Sequence, residues 1–316
     1  MKLKHLVSAS TLAIAAAALS TGAQAADPAS CQSVTFSDVG WTDITATTAT
    51  ASVVLEGLGY KPETQILSVP VTYAGLKNAD IDIFLGNWMP TMEADIAPYR
   101  EEGSVETVRV NLEGAKYTLA VPKYLADKGL KDFADIAKFK DELDGKIYGI
   151  EPGNDGNRLI QGMIDADTFG LKGFEVVESS EAGMLSQVAR STRRDKGVVF
   201  LGWAPHPMNS NFELAYLSGG DAIFGENFGG ANVYTNVRKG YAADCPNMGK
   251  LLGNLQFSLA MENEVMGAIL DDGKDGPVAA TEWLKANPGA LDAWLAGVTT
   301  FDGGDGLAAV KTHLGL

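Results

Sequence analysis

The sequence predicts an α/β protein with two lobes, and three observations support this prediction. The chain has 316 residues, enough for two cores at roughly 100–200 residues per domain. Strand-type apolar runs alternate with helical patterns, as they do in α/β folds with a mostly parallel sheet. Apolar residues make up 46% of the chain, so disordered, collagen-like and disulfide-rich miniature proteins are excluded.

The first segment is typical of an exported protein. A basic opening is followed by an Ala-rich apolar run at residues 6–19 and by Ala23-Gln24-Ala25, a small-residue cleavage site. We therefore expect a signal peptide at residues 1–25, with a buried N-terminal helix as the alternative. No lipoprotein-type apolar box precedes Cys31, and no later stretch is apolar enough to span a membrane. The sequence thus predicts an exported, soluble, periplasmic chain.

The elements follow in order after this segment. Val34 and Phe36 share one face of the first predicted strand, and Asp43 is positioned to cap a following helix that ends at Gly59. The predicted strands are at 32–39, 65–69, 81–85, 116–121, 146–150, 174–177 and 197–201, with helices at 156–169 and 181–194 among the later ones. The last hundred residues are mainly helical, and Trp283 and Trp294 lie in amphipathic stripes that predict core positions.

The other three tryptophans are placed differently. Trp41, Trp88 and Trp203 each follow an apolar strand and a nearby glycine, and ligands bind at the carboxyl ends of strands in open parallel sheets. The glycines would give the backbone room to turn each ring outward. A loop at residues 151–156 also follows a strand and leads into a helix whose free N–H groups could orient a polar ligand.

Three explanations fit such an aromatic cluster. The rings could pack under loops, stack on a sugar, or form a cage for a quaternary ammonium group, which has no N–H and is attracted by ring faces at ~0.5–2 kcal/mol each. Asp43, two residues after Trp41, would add a counter-charge to a cage. Spacing alone leaves all three open.

The two cysteines suggest a link between the chain ends. Cys31 and Cys245 can pair in an oxidising compartment, and two separate buried thiols are the alternative. Pairing would bring the first strand to the last third of the chain, so the two ends would share one lobe.

Several segments resemble the substrate-binding proteins of ABC importers for glycine betaine and choline. They are Trp41-Thr-Asp43, Gly86-Asn-Trp88-Met-Pro90, Lys116-Tyr117, Gly153-Asn-Asp155 and Gly202-Trp203-Ala-Pro-His206-Pro, spread over the mature chain. The resemblance implies a type II periplasmic-binding fold with two α/β lobes, two hinge crossings and a central ligand cleft. It also implies a Cys31–Cys245 disulfide. Lobe 1 would comprise residues 26–113 and 206–316, and lobe 2 residues 114–205, with crossings near 113–114 and 205–211.

The resemblance also implies site residues. Trp41, Trp88, Tyr117 and Trp203 match an aromatic box around a trimethylammonium group, Asp43 matches the facing carboxylate, and Asn154 matches the side chain that binds a choline hydroxyl. Asp155 and His206 are two further candidates. Asp155 would be a turn residue in the alternative interpretation, and His206 a structural residue between two prolines.

Asp43 and the absence of an arginine at the matched positions favour choline over betaines, whose carboxylate needs donors. The expected partners are choline, with acetylcholine or betaines bound more weakly, and the membrane permease of an ABC importer. The net charge of −15 argues against nucleic acid as a partner. We expect a monomer without metal or cofactor.

We expect a binder rather than an enzyme, because the sequence has no Walker A, H-E-x-x-H or G-x-S-x-G motif. The alternatives are a glycine betaine or proline betaine-binding protein and an exported sugar-active enzyme that uses tryptophan stacking.

Overall fold

The computed structural model describes residues 27–316, so the predicted signal peptide lies outside the described residues. Nine strands of the described part form one continuous mixed sheet. The strands are β1 Ser33–Asp38, β2 Lys61–Ile66, β3 Ile83–Met89, β4 Val105–Pro122, β5 Lys146–Tyr148, β6 Glu175–Val177, β7 Phe200–Ala204, β8 Leu214–Tyr216 and β9 Gly230–Arg238.

Helices fill the connections and most of the last third of the chain. They are α1 Thr42–Gly57, α2 Val69–Asn78, α3 Glu93–Glu101, α4 Lys123–Asp127, α5 Asp155–Asp165, α6 Glu181–Thr192, α7 Met208–Asn211, α8 Asp221–Phe224, α9 Glu226–Gly229, α10 Tyr241–Asp244, α11 Pro246–Asn254, α12 Leu259–Leu270, α13 Gly276–Ala286, α14 Ala290–Trp294 and α15 Gly306–Leu314. Short 3₁₀ turns lie at Ala29–Cys31, Phe133–Phe139 and Thr168–Gly170.

The strand order is β2-β1-β3-β9-β4-β7-β5-β6, with β8 beside the end of β4. The outer strands pair in parallel, β1 with β2 and β3, and β5 with β6 and β7. The central pairs β3–β9, β9–β4 and β4–β7 are antiparallel, so the expected mostly parallel sheet is wrong. The physical reason is that β4 runs across the middle of the sheet and β9 returns beside it in the opposite direction.

The division into two lobes stays a prediction. The strand pairing indicates where the chain crosses from one half of the sheet to the other. Residues 105–116 of β4 pair with β9, and residues 116–120 pair with β7, so β4 passes from one half of the sheet to the other. β8 pairs with residues 120–122 of β4, which lie in the second half. We therefore propose that the return crossing lies near residues 225–230, later than the expected 205–211.

Three boundaries differ from expectation for local reasons. β2 ends at Ile66 rather than at residue 69, because Pro70 lies in the first turn of α2, where its missing N–H costs nothing. Asp43 does not cap α1, which begins at Thr42 with Trp41 in the N-cap position. The mainly helical pattern predicted for the last hundred residues breaks after Asn254, where Leu255 is extended and Ser258 caps α12.

The chain ends meet in one half of the molecule, as the cysteines predicted. Cys31 and Cys245 form a disulfide, with their Cα atoms 5.8 Å apart. Trp294 is buried, and Trp283 stacks on it with ring centroids 6.3 Å apart, which confirms that both belong to the packed helical region. Within residues 27–316, no helix has the length and apolar character needed to cross a membrane.

Candidate functional site

The turn between β1 and α1 presents Trp41 and Asp43. Asp38, the last residue of β1, accepts hydrogen bonds from the Gly40 N–H at 2.7 Å and from the Thr45 hydroxyl at 2.6 Å. Gly40 has a φ of +80°, which a side chain would strain. The turn therefore places Trp41 at the N-cap of α1 and Asp43 in its first turn, where the helix dipole favours negative charge.

The other aromatic residues lie within strands of the central sheet. Trp88 is in β3, Tyr117 in β4 and Trp203 in β7, so the expectation that Trp88 and Trp203 follow strand ends is wrong. Their glycines serve close packing rather than a turn. A Cβ on Gly86 would lie 2.7 Å from Ile44 Cδ1, and one on Gly202 would lie 2.8 Å from Ala120 Cβ.

These side chains enclose one cavity. It is lined by Trp41, Asp43, Trp88, Tyr117, Ile150, Asp155 and Trp203. All four aromatic residues are buried, with no more than 6% of any of them exposed.

The rings meet at steep angles, as the walls of a box do. Tyr117 lies between two tryptophans: its ring centroid is 6.1 Å from that of Trp88 at 62° and 6.3 Å from that of Trp203 at 78°. Phe224 packs edge-on against Tyr117 at 6.0 Å and does not line the cavity. Such edge-to-face contacts fix ring orientation, so the faces stay available to the cavity.

Hydrogen bonds anchor three of the four rings. Trp88 Nε1 donates to Asp43 Oδ2 at 3.1 Å, and Trp41 Nε1 donates to Glu151 Oε1 at 2.9 Å. The Tyr117 hydroxyl donates to Asn154 Oδ1 at 3.0 Å. The indole N–H groups of Trp88 and Trp41 thus point at carboxylates, of which Asp43 lines the cavity and Glu151 does not.

Three carboxyl groups lie at or near the cavity, and burial disfavours the charged form of each. Burial, followed by the charge of Glu181, raises the pKa of Asp43 to about 8. Burial also raises the pKa of Glu151 to about 7 and that of Asp155 to about 6. Each shift means that the charged carboxylate lacks the solvation it would have in water.

Two of these carboxylates present free acceptors. Among the described residues, Asp43 Oδ1 and Asp155 Oδ2 are buried atoms without a hydrogen-bond partner, as is Trp203 Nε1. Unpaired buried acceptors are rare in proteins because desolvation costs about 1–3 kcal/mol each. No Lys or Arg is among the described residues that line the cavity. The arrangement therefore suits a ligand that is apolar outside and positively charged.

Asn154 is near the cavity but not on its wall. It is the N-cap residue of α5, where its Oδ1 accepts from the Asn157 N–H and the Tyr117 hydroxyl, while its Nδ2 donates to Asp155 Oδ1. Its neighbour Asp155 lies on the wall instead. The direct contact predicted for Asn154 stays a prediction.

His206 lies behind the box rather than inside it. Its ring is 1% exposed, its Nδ1 accepts from the Met208 N–H at 2.9 Å, and its Nε2 is 3.1 Å from Glu181 Oε1. The ring also packs against Trp203 with centroids 4.9 Å apart. These contacts favour the structural interpretation of His206.

Sequence reasoning missed several residues of the site. Ile150 and Glu151 were predicted only as parts of a strand and a loop, and Glu181 and Phe224 were not singled out. The recurrent strand-end pattern could have drawn attention to Ile150. Glu181 carries no local pattern, because its partners Thr42 and His206 are 139 and 25 positions away. Within residues 27–316, no group of three or more His, Cys, Asp or Glu side chains could hold a metal ion.

Comparison with known proteins places the chain in a family. Residues 32–286 match the model of the substrate-binding domain of ABC-type glycine betaine transport systems. A solved ABC-transporter choline binding protein in complex with choline is 69% identical, with a TM-score of 0.90 over 91% of this chain and 100% of that one.

Two further relatives are informative. A choline binding protein in an unliganded semi-closed conformation, also 69% identical, has a TM-score of 0.84 over the same shares of the two chains. The glycine betaine/carnitine transport binding protein GbuC of Listeria monocytogenes is 29% identical over 163 residues, which are 52% of this chain and 53% of that protein.

The family match covers most of the chain and describes a binding domain, which agrees with the expectation of a binder and not an enzyme. The high structural similarity also confirms the expected two-lobed α/β binding-protein fold. The chain belongs to the family of substrate-binding domains of ABC-type glycine betaine transport systems.

Proposed function

We propose that this chain is a periplasmic choline-binding protein that delivers its ligand to the membrane permease of an ABC importer. One observation carries the proposal: four buried rings enclose a cavity whose wall also bears Asp43 with a free carboxylate oxygen. Family membership supports the transport role, and the 69% identical choline complex supports the choice of ligand.

In this proposal Trp41, Trp88, Tyr117 and Trp203 surround the trimethylammonium group. Ring faces supply both apolar contact and negative potential to a cation that has no N–H to donate. Asp43 Oδ1 faces the positive charge, and its Oδ2 stays bonded to the Trp88 indole. The hydroxyl of choline would be left for Asp155 Oδ2 on the wall, with the neighbouring Asn154 as the second candidate.

The two halves of the sheet contribute different walls. Trp41, Asp43 and Trp88 come from the proposed lobe 1, and Tyr117, Ile150, Asp155 and Trp203 come from the proposed lobe 2. One lobe would first capture the cation, and hinge movement would then complete the box. The closed form would dock on the permease.

Specificity for choline over glycine betaine follows from the other end of the ligand. Glycine betaine carries a carboxylate, and the described cavity wall offers it two acidic side chains and no Lys or Arg. Bringing like charges together in a buried site costs affinity. We therefore expect a net cation to bind best.

Isothermal titration with choline, acetylcholine, glycine betaine and proline betaine tests the proposal. Choline should bind most tightly, at micromolar affinity or better, which corresponds to about −8 kcal/mol. Glycine betaine binding as tightly as choline would show a betaine-binding protein instead. A panel with no response to any quaternary amine would refute the proposed function.

A further inference from the structure

Helix α1, which presents Trp41 and Asp43, begins without a cap of its own. Its N-cap residue is Trp41, whose side chain accepts no hydrogen bond from the helix. The Thr42 N–H instead donates to Glu181 Oε2 at 2.9 Å, and the Thr42 hydroxyl donates to Glu181 Oε1 at 2.5 Å. Glu181 is the first residue of α6, so a distant segment supplies the acceptor that Ser or Asp normally provides at an N-cap.

The same carboxylate is linked through His206 to the opposite wall of the box. His206 Nδ1 accepts from the Met208 N–H, so the proton of a neutral ring is on Nε2, which then donates to Glu181 Oε1 at 3.1 Å. The His206 ring packs edge-on against Trp203. Glu181 thus binds the start of α1 directly and reaches the cavity wall at Trp203 through His206.

We propose that Glu181 is a positioning residue that holds the box closed, by capping α1 across the cleft and fixing Trp203 through His206. This inference rests on the proposed choline-binding function. Thr42 lies in the proposed lobe 1 and Glu181 in the proposed lobe 2, so opening the cleft breaks both Thr42 hydrogen bonds. An open cleft leaves the first N–H of α1 to water.

Another cross-cleft contact, away from the cavity wall, provides a matched control. Arg158 of α5 makes two hydrogen bonds to Asp95 of α3, at 2.9 and 2.6 Å. The Arg158 side chain is 43% exposed, whereas Glu181 is 4% exposed. The Asp95 side chain is 8% exposed, so water competes for the Arg158 partner of this pair but hardly for Asp95. Glu181 is buried together with both of its partners, so closure should depend more on Glu181 than on Arg158.

Stopped-flow tryptophan fluorescence with choline tests the proposal in Glu181→Gln and Arg158→Gln. Glutamine keeps the size of the side chain but turns one acceptor into an N–H₂ group. We expect Glu181→Gln to raise the choline dissociation rate at least tenfold and to change the association rate less than twofold. Arg158→Gln should change dissociation less than threefold.

A purely structural Glu181 would lower the melting temperature of the ligand-free protein and leave the dissociation rate unchanged, and that result would overturn the proposal. If Glu181→Gln does not fold, the dissociation rates of Thr42→Val and Thr42→Ser test the proposal instead. Val removes the hydroxyl donor and should raise dissociation at least threefold, whereas Ser keeps it and should match the wild type. Equal rates for the two variants would count against the cap. Choline must first bind to the wild type, since failure there refutes the proposed function itself.

Discussion

Asp27 and Asp43 are both buried carboxylates near the start of the described chain, yet they are satisfied very differently. Asp27 Oδ1 accepts from the Asn247 N–H at 2.7 Å, and its Oδ2 accepts from the Met248 N–H at 3.1 Å and from the Tyr60 hydroxyl at 2.8 Å. Asp43 Oδ2 accepts from the Trp88 indole, and its Oδ1 has no partner among the described residues.

The difference separates a structural carboxylate from a functional one. Asp27 caps α11, whose N-cap residue Cys245 offers no side-chain hydrogen bond, and so joins the N-terminal segment to the helix that follows the disulfide. Asp43 is costly to the ligand-free protein, and this cost is what a cationic ligand can offset. The comparison predicts that changes near Asp27 affect stability, and changes near Asp43 affect binding.

Removing the disulfide should have the largest effect on stability. Cys31→Ser combined with Cys245→Ser opens a link between residues 214 positions apart, which constrains the unfolded chain. We expect the free energy of unfolding in a denaturant titration to fall by about 2–5 kcal/mol. Choline affinity by calorimetry should stay within twofold of the wild type, and a tenfold loss would show that the two regions are coupled.

A matched pair of Asp→Asn variants tests the comparison itself. Asp43→Asn should weaken choline binding at least 30-fold, about 2 kcal/mol, because the cation loses its facing charge. Its ligand-free form should be more stable than the wild type at pH 8, since Asn removes a carboxylate whose pKa is raised by burial. Asp27→Asn should do the reverse, lowering the free energy of unfolding by about 1–3 kcal/mol with unchanged affinity.

The pKa of Asp43 sets the sign of two pH effects. Since burial raises it to about 8, the ligand-free folded form holds a proton that the unfolded chain has lost above pH 4. The contribution of Asp43 protonation to the free energy of unfolding is therefore fully present below the unfolded pKa of 3.8. It is lost as pH rises through the folded pKa of about 8.

Choline affinity should follow the opposite trend. A bound cation favours the charged carboxylate, so binding releases protons and becomes tighter as pH rises from 6 to 8, by up to about tenfold per pH unit for each proton released. Glu151 and Asp155, with pKa values raised to about 7 and 6, add to the lower part of this range. Titrations in buffers of different ionisation enthalpy measure the release. Affinity that rises on acidification would contradict this assignment of charge.

The tryptophans provide the smallest and most local test. Trp88→Ala should weaken choline binding by at least about 1 kcal/mol, because one face of the box is lost. Trp283→Ala removes a ring of the same size that stacks on Trp294 outside the cavity, and should leave the calorimetric affinity unchanged. Equal losses for both variants would mean that the box is not the binding site.

The sequence predicted most of the elements for physical reasons, and spacing drew attention to Trp41, Trp88 and Trp203 on the cavity wall, whereas Tyr117 came only from the family resemblance. Strand and helix periodicity located most elements, and the even cysteine count suggested the disulfide that the structure contains. The antiparallel centre of the sheet was missed, because the pairing of β4 with β9 depends on which strands meet across more than a hundred residues.

Contacts across the cleft also could not be predicted from the sequence. Gly40 and Asp38 are two positions apart, so their turn is a local feature of the sequence. Nothing near Thr42 indicates that the acceptor for its N–H comes from Glu181. Likewise, the sequence placed Asn154 and Asp155 in a loop just before a helix but could not tell which of them faces the cavity.

The central claim is that the box recognises the positive charge and not only the shape of the ligand. Isothermal titration with choline and with 3,3-dimethyl-1-butanol tests it most directly, because the alcohol has the same shape with carbon in place of the charged nitrogen. Four rings and one carboxylate facing a cation predict at least 100-fold tighter binding of choline, about 2.7 kcal/mol. Affinities within threefold of each other would contradict the account.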